Sequence, residues 1–278
     1  MTVSVNNRVF VYGTLLKGLE RQGCMEDSEY LGPALLEADL HDLGAYPGIR
    51  KGDGNVIGEL YLVNEQVLRR LDDIEGYTGD DSDSLFTREK VIVRLFATGE
   101  QSAALTYFYN SPPNNLVTHG DYRRHRLQQD GEKAWILVYG SNLSRERLFR
   151  RVGNVSEFKK GHVEGFRLAF NKQASNGREV YANIVWQGDN ARCPAIACQL
   201  DPEQIGHLDS YEGVPSHYLR VTVPFTDESG EVILTQMYIA HPNQISSDLG
   251  PGDDYVDHIR TGYEEHGFDM THLEEALK

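Results

Sequence analysis

Arg8-Val9-Phe10-Val11-Tyr12-Gly13-Thr14-Leu15 is answered later in the chain by Ala134-Trp135-Ile136-Leu137-Val138-Tyr139-Gly140-Ser141-Asn142-Leu143. Each stretch is an apolar run of β-type residues ending in Tyr-Gly and a hydroxyl residue, so each reads as a strand that runs into a loop. Two more signatures follow in the same order in both places. Leu71-Asp72-Asp73-Ile74-Glu75-Gly76 is matched by Leu208-Asp209-Ser210-Tyr211-Glu212-Gly213, and the run ending Tyr107-Phe108-Tyr109 by Leu234-Thr235-Gln236-Met237-Tyr238-Ile239. Three ordered matches mark an internal duplication. The copies are offset by 127 at the tyrosine (139 − 12) and by 137 at the glutamate (212 − 75), so the second copy carries a longer insertion between the two.

A chain of 278 residues exceeds the ~100–150 of one ordinary domain, which agrees with two copies that each bury a core. The polar, Pro-containing stretch Ser111 to Asp130 separates them, with the boundary near Gly131 to Lys133 and domains expected at 1–130 and 131–278. In the first copy the pattern predicts strands at Arg8 to Tyr12, Val56 to Val63, Phe86 to Phe96 and Ala103 to Tyr109. A helix is predicted from about Glu65 to Ile74, capped by Asn64. In the second, Asp201-Pro202 is a strong helix start, flanked by strands at Pro194 to Leu200 and Tyr218 to Pro224. Strands outnumber helices and do not alternate with them, so an α+β fold is expected, a curved mixed sheet or barrel with helices outside. Two helices close the chain, Asp253 to Gly267 and Asp269 to Leu277, where Tyr255, Ile259 and Tyr263 recur at helical spacing and are expected to pack on the barrel.

Composition removes several classes of function. The formal charge is −15 and no basic stripe interleaves with aromatics, which disfavours nucleic acid as a partner. No apolar run reaches the ~18 residues of a membrane span, and Met1 to Arg8 lacks the layout of a secretory signal, so a cytoplasmic location without membrane partners is expected. Cys24, Cys193 and Cys198 have neither zinc-ligand nor redox spacing and read as buried hydrophobes. His258, His266 and His272 read as polar positions on the terminal helices. No metal or cofactor is expected. Gly13 to Gly18 matches neither dinucleotide nor phosphate-loop glycine patterns.

What remains is one glutamate and one loop per copy. Gly76 and Gly213 stand where a left-handed cap ends a helix, so Glu75 and Glu212 sit at helix C-termini. There the dipole and partial burial raise a carboxylate from ~4.3 toward the range of a general base. The Tyr-Gly loops offer main-chain N–H groups to an anion. A poised carboxylate facing an N–H nest suits a substrate that brings its own amine nucleophile, because cyclisation needs no serine, cysteine or metal. Singly, a glutamate before a capping glycine is commonly a solvated helix end and Tyr-Gly-Ser commonly a turn. Glutamate is kept in both copies, however, while Asp73 becomes Ser210 and Ile74 becomes Tyr211.

At these residues the chain resembles the gamma-glutamylcyclotransferase superfamily over nearly its whole length, apart from Ser111 to Glu132. The second copy is similar to the gamma-glutamylcyclotransferases proper through Tyr139 to Leu143, Gly165-Phe-Arg-Leu-Ala-Phe-Asn171, Ala182-Asn-Ile184, Leu208 to Val214 and the Tyr255 to Gly267 tail. The first is similar to the gamma-glutamylamine cyclotransferases and plant AIG2-like proteins through Val11 to Leu15, Tyr46-Pro-Gly-Ile49, Gly58-Glu-Leu-Tyr61 and Leu71 to Tyr77. Tandem bacterial members look most alike. The resemblance implies two small β-barrels with flanking helices. It also implies Glu75 and Glu212 as the acid/base, and a γ-glutamyl group bound by Tyr12, Gly13, Thr14 and Leu15 in one copy and by Tyr139, Gly140, Ser141, Asn142 and Leu143 in the other. Cyclisation to 5-oxoproline would release the attached amine. Tyr218 and Tyr238, and Tyr107 or Tyr109, are candidate pocket hydroxyls. The first copy departs from the pattern at Thr14, at an acidic insertion from Gly79 to Ser84, and at Phe86 where relatives carry tyrosine. The alternative is a non-catalytic small-ligand module on the same fold.

Overall fold

The computed structural model describes residues 7–79, 84–113, 115–127 and 131–278. The inner part of the acidic insertion, 80–83, and residues 1–6 therefore lie outside the described residues. The chain divides into two compact units, one of residues 1–95 and 100–128, the other of 96–99 and 129–278.

The first unit is built from β1 (Asn7–Val11), β2 (Glu29–Asp42), β3 (Pro47–Val63), α1 (Glu65–Glu75), β4 (Phe86–Leu95), β5 (Gln101–Tyr109) and α2 (Tyr122–Leu127). Its five strands close a barrel in the order β1-β3-β2-β4-β5. All neighbours are antiparallel except β1 and β5, which run parallel with Val9 opposite Leu105. Val9, Phe10, Ile49, Leu60 and Val93 are buried in the core that the barrel and its covering helix share, together with Leu71 of α1.

The second unit has β6 (Ala134–Val138), α3 (Arg145–Val152), β7 (Phe158–Glu164), β8 (Phe166–Gln173), β9 (Val180–Trp186), β10 (Arg192–Leu200), α4 (Pro202–Glu212), β11 (Tyr218–Asp227), β12 (Val232–Ala240), α5 (Asp253–His266) and α6 (Thr271–Ala276). Strands β10-β6-β12-β11-β7 close a second barrel, and β8 pairs with β9 in a separate sheet. Again one parallel contact, β6 with β12, closes the ring. The long hairpin β2/β3 of the first unit is broken here into β7/β10 in the barrel and β8/β9 outside it. Together with α3, the extra hairpin accounts for the longer spacing between loop and glutamate in this copy.

The strand and helix expectations hold where the pattern is unambiguous. They miss β2, β7, β8, β9, α2 and α3, and give only the C-terminal half of β3; α2 lies in the stretch expected as the connection between the copies. Ala34-Leu35-Leu36-Glu37-Ala38-Asp39-Leu40 consists largely of helix formers, yet it lies in β2. Pairing with β3 on one side and β4 on the other overrides that local preference. Cys193 and Cys198 are buried as expected, while Cys24 is only half-buried.

Helices α1 and α4 share one construction. Asn64 accepts from the Gln66 and Val67 N–H groups. Asp201 forms a capping box with Gln204. Both helices end at a left-handed glycine, Gly76 at φ 64° and Gly213 at φ 66°. The next N–H then reaches back five residues, Tyr77 to the Asp72 carbonyl at 2.9 Å and Val214 to the Asp209 carbonyl at 3.0 Å.

Gly213→Ala should therefore cost about 1–2 kcal/mol, because alanine resists that conformation and its Cβ would stand 2.9 Å from the His217 ring. Gly206→Ala in the same helix, where a Cβ meets nothing within 4 Å, should instead stabilise by about 0.5–1 kcal/mol. Urea unfolding of the two variants checks both signs.

Candidate active sites

Each barrel carries a cavity at the C-terminal end of the strand that leads into its Tyr-Gly loop. In the first unit a cavity of about 80 Å³ is lined by Tyr12, Gly13, Thr14, Leu15, Arg21, Glu75, Phe86 and Tyr107, among others. The second unit has one of about 30 Å³, lined by Tyr139, Gly140, Ser141, Asn142, Ala182, Glu212, Tyr218, Tyr238 and Tyr255, with two residues of β6. Both glutamates thus share a cavity with their own loop. Of the loop residues, Leu143 does not line its cavity. It is turned into the core against Gly262 of α5.

The loop turns have the same hydrogen bond, Leu16 N–H to the Gly13 carbonyl and Leu143 N–H to the Gly140 carbonyl, at 3.0 and 2.9 Å. Among the described residues the N–H groups of Thr14, Leu15, Ser141 and Asn142 have no partner, which leaves two main-chain donors per loop. The loop tyrosines are struts. Tyr12 donates to the Tyr107 carbonyl at 2.6 Å and Tyr139 to the Tyr238 carbonyl, so neither hydroxyl proton is left for a ligand. Tyr218 similarly donates to the Ala182 carbonyl at 2.7 Å. Phe86 takes the corresponding wall of the first cavity without a hydroxyl. Tyr109 packs against Phe86 with tilted rings 5.5 Å apart and stays outside the lining.

The two carboxylates differ in their partners. Glu75 has no hydrogen bond or ion pair among the described residues. Loss of water raises its pKa to about 7, opposed only by the charge of Arg21. Glu212 is also raised by burial, but here several groups oppose the shift, Arg151 foremost. Arg151 reaches Glu212 Oε1 at 3.0 Å and Asn142 Oδ1 at 2.8 Å, while Asn142 Nδ2 donates to the same Glu212 oxygen at 2.9 Å. Arg147 and buried Lys172 add further positive charge nearby.

Residues beyond the sequence expectations complete both sites. Asp72 and Asp209 stand three positions before their glutamates, on the same helical face. Arg88 binds both oxygens of Asp72 at 2.7 and 2.6 Å, and Tyr107 donates to Asp72 Oδ1 at 2.8 Å. In the second unit Arg220 binds Asp209 Oδ2 at 3.0 Å and Tyr238 donates to Asp209 Oδ1 at 2.7 Å. The arginine and tyrosine are direct cross-strand partners in each barrel, Arg88 with Tyr107 and Arg220 with Tyr238. The repeated Leu-Asp at the start of the glutamate signature was the available sequence signal. Tyr255 is a further addition. Ile259 and Tyr263 pack as expected, but the Tyr255 hydroxyl accepts from the Ala182 N–H at 3.0 Å and lines the Glu212 cavity. Helix α5 lies over the 141–143 turn, where His266 contacts the Leu143 carbonyl at 3.0 Å.

Among the described residues no cluster of three or more His, Cys, Asp or Glu could hold a metal ion, and no helix is long and apolar enough to cross a membrane.

The sequence model of the family described as gamma-glutamyl cyclotransferase, AIG2-like, matches the chain twice, over residues 9–124 and 136–257. The chain belongs to this family. A gamma-L-glutamyl-butirosin B gamma-glutamyl cyclotransferase of Niallia circulans is 34% identical over 123 residues, which are 43% of this chain and 78% of that protein. The gamma-glutamylcyclotransferase family protein YtfP of Escherichia coli is 30% identical over 118 residues, 41% of this chain and 95% of its own. Each of these relatives corresponds to less than half of this chain, as a single copy of the repeat would. Among solved structures, YkqA of Bacillus subtilis shares the fold with a TM-score of 0.75 at 18% identity, over 98% of this chain and 96% of its own.

The titration of Glu75 has a sign that can be checked. Its carboxyl ionises near pH ~4.3 in the unfolded chain and near 7 in the folded one. Its contribution to stability is therefore full below the unfolded value and is lost as pH rises through about 7. Glu75→Gln is expected to raise stability at pH ~8 and leave it unchanged at pH ~4. Carboxyl NMR of the full chain should place the Glu75 midpoint near 7, and Arg21→Gln should move it upward.

Proposed function

We propose that each barrel cyclises a γ-glutamyl group to 5-oxoproline and releases the amine attached to it, with Glu75 and Glu212 as general acid/base. One observation carries the reading: in both units a carboxylate whose pKa is raised by burial, to about 7 for Glu75, shares a small cavity with a loop whose N–H groups are unpartnered among the described residues. Family membership supports it, as does the γ-glutamyl substrate in the name of the Niallia circulans relative.

In this reading the N–H groups of Thr14 and Leu15, or of Ser141 and Asn142, bind the substrate α-carboxylate. The ionised glutamate takes a proton from the α-ammonium, and the freed amine attacks the γ-carbonyl. A C–N bond forms to the α-nitrogen and the C–N bond to the leaving nitrogen breaks. Two protons leave the α-nitrogen and two reach the departing amine by way of the carboxylate, which ends ionised as it began. Attack within one bound molecule supplies several kcal/mol through proximity, so the protein has only to fold the substrate and move protons.

The Arg151 ion pair favours a second reading for the second unit alone, in which Glu212 binds ligand without turnover. Single variants separate the two. Mass-spectrometric detection of 5-oxoproline from γ-glutamyl dipeptides, γ-glutamylamines and glutathione should show Glu75→Gln and Glu212→Gln each removing one activity, by roughly 10²–10⁴. In the Glu212→Gln chain the remaining rate should climb with pH through about 7, as Glu75 ionises. A Glu75→Gln, Glu212→Gln chain that keeps the wild-type rate would reject the acid/base assignment.

A further inference from the structure

We infer that Tyr107 and Tyr238 are hydrogen-bond acceptors for the α-ammonium of the substrate, and that the Arg–Asp pair behind each tyrosine exists to fix that polarity. The inference rests on the γ-glutamyl reading and adds to it the group that selects for an α-amine.

A phenol has one proton to give and can accept in return. Asp72 is held by two contacts from Arg88 and Asp209 by one from Arg220, at 2.6 to 3.0 Å. An ionised carboxylate can only accept, so the tyrosine proton must point to it, as the 2.8 and 2.7 Å contacts to Oδ1 record. Burial and the adjacent aspartate push both phenols well above their ordinary pKa, so the proton stays on the tyrosine oxygen. Each oxygen then faces its cavity with lone pairs and no proton. Among the described residues nothing donates to either oxygen.

Each tyrosine lines the same cavity as its glutamate and lies within the reach of that glutamate's charge. A group placed between them meets two acceptors. An ammonium satisfies both, whereas a hydroxyl satisfies one and a methylene neither. The tyrosine accepts one N–H while the glutamate removes the proton of another, which leaves the nitrogen lone pair for the γ-carbonyl. Aspartate and arginine act through the tyrosine and are positioning residues.

The test is calorimetric binding of L-glutamate and glutarate to the full chain at pH ~8, where Glu75 is ionised. The two ligands differ only in the α-ammonium, and binding does not require turnover. The wild-type chain should prefer L-glutamate, and Tyr107→Phe with Tyr238→Phe should cut that preference by roughly tenfold or more, the strength of a hydrogen bond to a charged group. The isosteric pair Asp72→Asn with Asp209→Asn should do the same with both tyrosines in place. Each asparagine must turn its oxygen to the arginine and its NH₂ to the tyrosine, which reverses the phenol and aims its proton at the ammonium. A preference unchanged in either folded double variant overturns the assignment. So does an equal loss of both ligands, which would make the tyrosines mere walls. Failure of the wild-type chain to bind either ligand would instead remove the γ-glutamyl reading, and this inference with it.

Discussion

The structure depends on holding a carboxylate half-buried beside a cavity, stripped of much of its water, at the negative end of a helix. Both conditions disfavour the charge, so Glu75 and Glu212 are held against local preference by the rest of each unit. The glycine cap makes this possible. Gly76 and Gly213 stop the helix one residue after the glutamate, and the following N–H groups satisfy the carbonyls of Asp72 and Asp209. Without that stop the helix would continue past the glutamate, and the chain would not turn back to β4 or β11 at this point. The return strand supplies Phe86 and Arg88 in one unit, Tyr218 and Arg220 in the other.

The two copies resolve the same tension differently. In the first unit the acid faces a larger cavity and only Arg21 opposes its protonation, so the site titrates near neutrality. In the second, Asn142 stands where the first loop has Leu15. It brings Arg151 and Glu212 into a three-way contact, and the cavity shrinks from about 80 to about 30 Å³. A ligand entering the second site must compete with Arg151 for the carboxylate, whereas one entering the first meets the carboxylate directly.

Duplication made much of this legible. One Tyr-Gly loop or one Glu-Gly pair is unremarkable, but the same order in both halves singles out Tyr12 to Leu15, Tyr139 to Leu143, Glu75 and Glu212 as residues to place first. Strands that outnumber helices pointed to an α+β fold with a curved sheet or a barrel, and the family resemblance implied the barrels. Arg88, Arg220, Arg151, Arg21 and Tyr255 were not legible, because each reaches its cavity through a strand register or a helix packing that periodicity does not encode. Asp72 and Asp209 were inside a quoted signature, yet their role depends on a tyrosine 35 and 29 residues further on. Strand β2 was hidden by its own composition, since Leu, Ala and Glu side chains favour a helix until two neighbouring strands claim the segment.

Barrel closure ties these parts together. The parallel contact between β1 and β5, repeated by β6 and β12, places the loop after the first strand beside the tyrosine of the last. Tyr12 and Tyr139 then lock that approach by donating to the carbonyls of Tyr107 and Tyr238, the same residues that line the cavities. A one-residue slip of β5 against β4 would turn Tyr107 to the opposite face from Arg88, since side chains alternate along a strand. It would also displace the carbonyl that Tyr12 holds. The loop donors, the tyrosine oxygen and the carboxylate are thus set by one register, which explains why three signatures far apart in sequence persist as a group in both halves of the chain.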